Sequence, residues 1–283
     1  MGVRLHHRWG WRLYAIPVLL IVTVAALTTG GNDAAPVASN PAPTAAAGGS
    51  PPMAQDREIK SDETGAGSQQ EVLASDALPA GAAYTERGAG TFHVVPGTSD
   101  VAGTGNRFTY TVEVEDGVTG VDEKAFGQTV QTVLSDKRSW IGRTGEVSLQ
   151  RVDSGPVSWR VTLTSSLTVR DKCGYEIQVE TSCWSPTDRR VYLNVARWVR
   201  GDVAYIGDIG AYRTYMVNHE NGHALGHEHV FTCLTNGYAP VMMQQTITTT
   251  ATDGAICQPN PWPNPPGVAL GPDPRGASAP AVG

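Results

Sequence analysis

The stretch from His219 to His229 constrains this chain more than any other, because it spaces three histidines and a glutamate in the fixed pattern H-E-x-x-H-x-x-G-x-x-H. Histidines four residues apart lie on one face of a helix, so His219 and His223 can direct two imidazoles at a single ion. Gly226 can adopt the left-handed conformation that ends a helix. That turn would bring His229 back as a third nitrogen ligand. Three protein ligands and one open position are typical of a catalytic zinc site.

Glu220 is the acidic member of this pattern, and the spacing predicts that it is the general base. It lies about 100° round the helix from His219, where it can reach a water on the metal without becoming a ligand. His227 would extend the row of helical histidines, but a helix rises about 12 Å over eight residues. Ligands about 2.1 Å from one zinc cannot be that far apart. No glutamate follows Glu228, so a later carboxylate ligand of that type is absent, and the third ligand is predicted to be His229.

The motif and a later methionine together resemble the signature of the metzincin clan of zinc peptidases. Residues 239–245, Ala-Pro-Val-Met-Met-Gln-Gln, resemble the methionine turn of that clan, with Met242 as the residue expected beneath the zinc. The resemblance implies one catalytic Zn²⁺ on the three motif histidines and hydrolysis of peptide bonds by a zinc-bound water that Glu220 activates. It also implies an α+β fold of the zincin type, in which a twisted mixed sheet carries a long helix and an active-site helix.

A second resemblance covers the region from about Gly88 to Pro266, which is similar to a family of exported bacterial domains of unknown function. The similarity implies nothing about the substrate. It is carried by several short stretches: Gly90-Thr91-Phe92, Val95-Pro96-Gly97, Arg138-Ser139-Trp140, Asn194-Val195-Ala196-Arg197-Trp198, Pro240-Val241-Met242-Met243-Gln244-Gln245 and Asn260-Pro261-Trp262-Pro263.

The ends of the chain differ in composition from its middle. Residues 1–12 carry three arginines and precede an apolar run at 13–29, which predicts an export signal or a transmembrane anchor with the rest of the chain outside the cytoplasm. We favour the anchor; the protein would be secreted if the segment is cleaved. Residues 30–77 are rich in Ala, Pro, Gly and Ser and predict a disordered linker. A disordered tail is predicted at 267–283, which leaves 78–266 as one catalytic domain.

Hydrophobic periodicity predicts the main elements of that domain. Apolar positions spaced as in a helix predict an amphipathic helix over 122–135, and Asp208 is expected to cap an active-site helix that ends near Leu225. Short apolar or alternating runs between turn residues predict strands at 91–95, 107–115, 147–152, 159–163 and 191–195.

The four cysteines, Cys173, Cys183, Cys233 and Cys257, allow three pairings. An exported chain favours disulfides over free thiols. We prefer the pairing of neighbours, Cys173 with Cys183 and Cys233 with Cys257. The first bond would pin a short loop between strands, and the second would brace the segment that carries the methionine turn.

The predicted function is that of a zinc endopeptidase acting on a protein or peptide, possibly a cell-wall peptide, with the membrane as a second partner through residues 13–29. A net charge of −6 gives no sign of nucleic-acid binding. The substrate is expected to pair along an exposed sheet edge, for which Val191–Val195 is the candidate, and Tyr238 is a candidate for oxyanion stabilisation. The alternative is a catalytically silent zinc-holding envelope domain that binds protein or cell-wall polymer. The long linker suits that role, whereas Glu220 argues against it.

Overall fold

A computed structural model describes residues 77–143, 145–174 and 179–267. The predictions for residues 1–76 and 268–283, which concern the export or membrane segment, the linker and nearly all of the tail, lie outside this part of the chain. Within it, no helix has the length and apolar character needed to cross a bilayer. The elements of the described part form a seven-stranded mixed sheet and four α-helices, which agrees with the mixed α and β architecture expected from the sequence.

The order of elements along the chain places one helix between strands early in the domain and the motif helix after the last strand. The strands are β1 Phe92–Val94, β2 Ala102–Gly103, β3 Asn106–Glu115, β4 Val147–Arg151, β5 Trp159–Thr164, β6 Cys183–Ser185 and β7 Arg190–Asn194. The helices are α1 Glu123–Leu134, α2 Ser166–Cys173, α3 Val195–Arg200 and α4 Ile209–Ala224, with short 3-10 turns at Trp140–Gly142 and Val203–Tyr205.

The sheet has a parallel centre and antiparallel borders. Strand order is β2-β4-β3-β5-β7-β6, and β1 pairs separately with β3. The β3–β4, β3–β5 and β5–β7 pairs are parallel, whereas β1, β2 and β6 are antiparallel to their neighbours. A parallel pair needs a crossover connection, which α1 supplies between β3 and β4. Strand β3 is buried at every residue from Tyr110 to Glu115, as expected for a central strand covered on both faces.

Two predicted helices have the ends that the sequence indicated. Asp122 caps α1 by accepting a hydrogen bond from the Ala125 amide, and Asp208 caps α4 by accepting one from Ala211. Helix α1 buries Phe126, Val130, Val133 and Leu134 in a core that also contains the inner residues of the sheet and of α4. The helical spacing read from the sequence therefore identified the face that packs.

The prediction that Val191–Val195 forms the exposed sheet edge is wrong. Strand β7 lies between β5 and β6, and Val195 begins α3. Strand β6 forms this border of the sheet in the described part of the chain. Its three residues, Cys-Trp-Ser, are too short a run for an alternation of apolar and polar residues to be recognised. Helices α2 and α3 were also not predicted, because α3 continues directly from a strand and α2 has only eight residues.

Both disulfides join neighbouring cysteines, which confirms the pairing predicted from the sequence. Cys173 at the end of α2 is bonded to Cys183 at the start of β6, and their Cα atoms are 6.0 Å apart. Cys233 is bonded to Cys257 with a Cα–Cα distance of 5.5 Å. The second bond lies in a small separate core with Ala239, Met243 and Ala251. It therefore closes the loop that contains the methionine segment.

Candidate metal centre

The motif helix ends in a turn that reverses the chain. Helix α4 ends at Ala224, and Gly226 has φ of +89°, a conformation that glycine adopts without steric cost. The Gly226 amide donates to the carbonyl oxygen of His223, and the His227 amide donates to that of Gly222, both at 2.9 Å. These two bonds form the Schellman motif that commonly ends a helix at glycine. The turn brings His229 back towards the end of α4.

Three histidines converge beside this turn. The ligand-capable nitrogens of His219, His223 and His229 all lie within 4.8 Å of one another. The Nε2 atoms of His223 and His229 are 3.1 Å apart. Two nitrogens each about 2.1 Å from a tetrahedral ion are about 3.4 Å apart, so the cluster has the dimensions of a single zinc site. His227 is not a member of this group; its ring stacks on Trp140 instead.

Backbone carbonyls fix the orientation of two of these rings. His219 Nδ1 lies 2.8 Å from the Val241 carbonyl oxygen, and His223 Nδ1 lies 2.8 Å from the His227 carbonyl oxygen. Because a carbonyl oxygen only accepts, each Nδ1 carries the proton and each Nε2 presents a lone pair. This arrangement is common behind histidine ligands of metals. The donor set therefore fits zinc: neutral imidazoles in a fixed tautomer, directed at one point.

Burial shifts the charge states of the motif residues. It lowers the pKa of His219 to about 3, with a further contribution from His223, and it also lowers the pKa of His223 and His229. All three imidazoles are thus neutral at pH 7, which is the form that binds metal. Burial raises the pKa of Glu220 to about 8 in the metal-free chain, so the carboxyl group is largely protonated at pH 7 until a nearby positive charge favours the carboxylate.

The methionine segment lies beneath the end of α4. The Met242 side chain is buried and lies so close to Gly222 that a Cβ there would be 2.5 Å from its sulfur. The neighbouring Val241 carbonyl oxygen is the partner of His219. Met243 points elsewhere, into the small core around Cys257. Of the two methionines, Met242 is therefore the one whose side chain contacts the motif helix at Gly222, next to His223.

Comparison with known proteins identifies the family of the domain but not its activity. Residues 78–265 match a family model whose description is "Protein of unknown function (DUF3152)". The chain belongs to this family. No curated protein and no solved structure matches the chain.

The DUF3152 domain supports its motif helix with residues that the sequence analysis did not assign to the site. Trp140 Nε1–H donates to the Asn218 carbonyl oxygen at 2.9 Å, and the Ser139 hydroxyl donates to the Asn218 side-chain oxygen at 2.7 Å. The side-chain amide of Asn218 donates to the Pro261 carbonyl oxygen. Two short stretches that the sequence analysis noted, Arg138–Trp140 and Asn260–Pro263, thus meet behind α4. Their separation of 78 and 43 residues from Asn218 explains why no local pattern linked them.

A further bond ties α4 to the centre of the sheet. Trp159 of β5 donates its indole N–H to the Asn221 side-chain oxygen at 2.7 Å, and both residues are buried. The side-chain amide of Asn221 donates to the Val217 carbonyl oxygen. Asn221 is one of the two unspecified positions inside H-E-x-x-H, so the motif gave no reason to select it. The position has a structural function here, because it fixes the helix relative to β5.

The motif residues line an open cleft on the DUF3152 domain. Its walls include Glu220, Glu228, the four histidines from 219 to 229 and residues 181–184 at the start of β6, but no lysine or arginine from the described part of the chain. Tyr238, the candidate oxyanion group, is not among the residues that line this cleft, and its backbone forms an isolated β-bridge with Gln258. Tyr212 and Tyr215 also line the cleft. The Tyr212 hydroxyl is hydrogen-bonded to the Thr246 hydroxyl. The Tyr215 hydroxyl donates to the Met243 carbonyl oxygen and accepts from the Gln245 amide.

Proposed function

We propose that this protein is a zinc-dependent metalloendopeptidase that hydrolyses peptide bonds outside the cytoplasm. The observation that carries the proposal is the convergence of three neutral imidazoles in the cleft that also contains the buried Glu220. Three nitrogen ligands leave one coordination position open, as in catalytic rather than structural zinc sites. A carboxyl group beside the ligands, but not among them, has no role in simple metal retention.

The motif residues would have two functions, metal binding and proton transfer. His219, His223 and His229 would hold the ion, which when bound polarises a peptide carbonyl and lowers the pKa of water. Glu220 accepts the proton of the attacking water and delivers it to the amine that leaves. The carboxylate form makes the first transfer: burial alone raises the pKa of Glu220 to about 8, and the positive charge of a bound ion would lower it again.

The substrate is proposed to bind in an extended form along β6. This strand borders the sheet in the described part of the chain, and the residues at its start, Cys183 and Trp184, line the cleft with the histidines. An extended peptide added to a sheet edge gains main-chain hydrogen bonds from it. The protein substrate or cell-wall peptide predicted from the sequence would therefore lie on β6 rather than on Val191–Val195.

The proposed location agrees with the disulfides. Two disulfide bonds, with no free cysteine in the chain, are typical of proteins that fold in an oxidising compartment. Anchoring to the membrane through residues 13–29 remains part of the proposal, as does secretion if that segment is removed.

The substitution Glu220→Gln tests the proposed mechanism, because it keeps the size of the side chain and removes the base. In the purified full-length chain it should leave zinc content at one ion per protein and reduce turnover of a cleaved peptide by about 10²–10⁴-fold. Glu228→Gln is the matched control, since Glu228 is a carboxylate on the same cleft wall with no assigned proton transfer. It should retain zinc and most of the activity.

The outcomes of this experiment separate the enzyme from the silent binder. A parent protein that binds zinc but cleaves nothing in a diverse peptide library would favour a zinc-holding domain for protein or cell-wall polymer. Undiminished cleavage by Glu220→Gln would contradict the role of Glu220 even if the protein is a peptidase. A parent chain that retains no zinc would contradict the proposal as a whole.

A further inference from the structure

His227 lies in the turn between the last two proposed ligands without belonging to them. Its ring stacks on the indole of Trp140, with ring centres 4.1 Å apart and an angle of 25° between the planes. It also lines the cleft. Parallel stacking of flat rings at this distance is a favourable and orientation-dependent contact. The structure therefore provides a partner for this histidine other than a metal.

Trp140 is itself fixed to the motif helix. Its indole N–H donates to the Asn218 carbonyl oxygen at 2.9 Å, one turn before Gly222. A Cβ at Gly222 would be 2.6 Å from Trp140 Cζ2, so the indole lies directly on the helix backbone at that glycine. The hydrogen bond and this contact together give the His227 ring a rigid surface whose position is defined by α4.

The backbone of His227 connects this stack to the ligands. Its carbonyl oxygen accepts the hydrogen bond from His223 Nδ1 at 2.8 Å, and its amide donates to Gly222 at 2.9 Å. His229 follows two residues later. A shift of the 227 backbone would therefore rotate the His223 ring and displace the His229 ring in the same movement.

We propose that His227 is a positioning residue for the metal site: its imidazole, stacked on Trp140, holds the turn at 226–229 so that His223 and His229 face one point. The inference rests on the proposed zinc site. It predicts that a flat ring at position 227, stacked on Trp140, is required for tight zinc binding. Partners that orient metal ligands typically contribute about 10–100-fold to metal affinity, and the stack acts on the carbonyl that orients His223.

The test is the zinc dissociation constant of the purified full-length chain, measured by competition with a chromogenic chelator. His227→Ala should weaken zinc binding about 10-fold while retaining one site per chain. His227→Phe, which keeps a flat ring for stacking, should bind zinc within about 3-fold of the parent. His93→Ala is the control for loss of a histidine elsewhere, and it should match the parent. His229→Ala should lose the site altogether.

A second pair of variants tests the stack from the other side and does not depend on His227→Ala folding well. Trp140→Leu should weaken zinc binding to a similar degree. Combining it with His227→Ala should weaken binding no further than the larger single effect, because both remove the same contact. Near-ultraviolet circular dichroism of the zinc-free proteins reports whether each variant keeps its packing.

Several results would overturn the positioning function while leaving the proposed peptidase intact. Zinc binding unchanged in His227→Ala would show that the stack does not hold the ligands. Equal weakening in His227→Phe and His227→Ala would show that the nitrogens of residue 227 act instead. Additive losses in the double variant would show that the two rings act separately. A parent chain without zinc would overturn the proposed function as well.

Discussion

At the scale of single residues, Gly222 shows how closely the motif helix is packed. It occupies the third position after His219, where the motif accepts any residue, yet it is buried between Met242 and Trp140. Both neighbours lie closer than a Cβ atom would tolerate. The methionine beneath the site and the indole that stacks on His227 therefore approach the helix through the space that the missing side chain leaves.

The substitution Gly222→Ala should destabilise the fold even though alanine is the better helix former. The added methyl group would force Met242 and Trp140 apart, at a cost of about 1–3 kcal/mol for overpacking, against a gain of about 1 kcal/mol in helix propensity. Gly210→Ala, in the first turn of the same helix, is the matched control. A Cβ there meets only Asp208 Oδ1 at 3.4 Å, so this variant should be as stable as the parent or up to about 1 kcal/mol more stable.

Urea unfolding of the two glycine variants and the parent measures this difference. If Gly222→Ala were as stable as Gly210→Ala, the contacts of Met242 and Trp140 with the helix would not be as tight as described. Zinc affinity measured on the same samples would show how far the ligands depend on this packing.

The candidate site illustrates what a sequence can and cannot predict at this scale. The histidines, Glu220 and Gly226 were selected in advance because their spacing along one helix and turn is a local property. Asn218, Asn221 and Trp140 were not selected, because their function depends on contacts with residues 40 to 80 positions away. The stacking of His227 likewise follows from the position of Trp140, which no periodicity in the chain specifies.

At the scale of elements, disulfides hold two of the segments that line the cleft beside α4. Cys173–Cys183 ties the start of β6 to the end of α2, and Cys233–Cys257 closes the loop that contains the methionine segment. The apolar periodicity of α1 predicted its ends, whereas the ends of α4 were predicted from the Asp208 cap and the histidine motif. Strand β6 was missed because three residues carry no pattern, although it forms the wall on which the substrate is proposed to lie.

The two disulfides should differ in what their removal does. The chain-entropy relation gives about 2.7 kcal/mol for a 10-residue loop and about 3.5 kcal/mol for a 24-residue loop, which are the sequence separations of the two bonds. Replacing Cys233 and Cys257 by alanine should therefore lower stability more than replacing Cys173 and Cys183. It should also weaken zinc binding, since Val241 and Met242 lie in the loop that is opened.

The two double variants serve as controls for each other. Thermal unfolding and zinc competition on both would measure the predicted difference, and non-reducing peptide mapping of the parent would verify the two pairings. Equal zinc affinity in the two variants would contradict the view that the second disulfide supports the site.

At the scale of the whole molecule, the described domain brings distant parts of the chain to one helix. Several segments form hydrogen bonds with α4. Asn221 bonds to Trp159 of β5, and the Asn218 carbonyl oxygen bonds to Trp140 in the segment before β4. His219 bonds to Val241 of the methionine segment, and the Asn218 side chain bonds to Pro261. Strands on both sides of a long helix predicted a sheet that carries helices, and the family resemblance implied that the sheet is mixed. Its strand order could not be predicted, because parallel pairing depends on crossovers whose partners the sequence does not name.

Interactions between His93 and two carboxylates at the first strand, outside the cleft, should contribute to the pH dependence of global stability. The Nδ1 atom of His93, in β1, lies 2.7 Å from Asp116 Oδ1, and its Nε2 atom lies 3.0 Å from Glu123 Oε2. The bond to Glu123 and then the bond to Asp116 raise the pKa of His93 above 6.5. Because the folded pKa exceeds the unfolded one, this contribution is complete below about pH 6.5 and is lost as pH rises through the folded value.

The substitution His93→Asn should therefore lower the free energy of unfolding at pH 5.5 and have a smaller effect at pH 9, where the parent histidine is neutral. Urea unfolding of parent and variant across this range measures the difference, which should be modest because all three side chains are partly exposed. Glu123→Gln tests the cause: by removing the larger interaction, it should move the His93 pKa measured by NMR towards 6.5. A parent His93 that titrates at or below 6.5, or an equal loss of stability at both pH values, would contradict the link between β1, the turn at Asp116 and the start of α1.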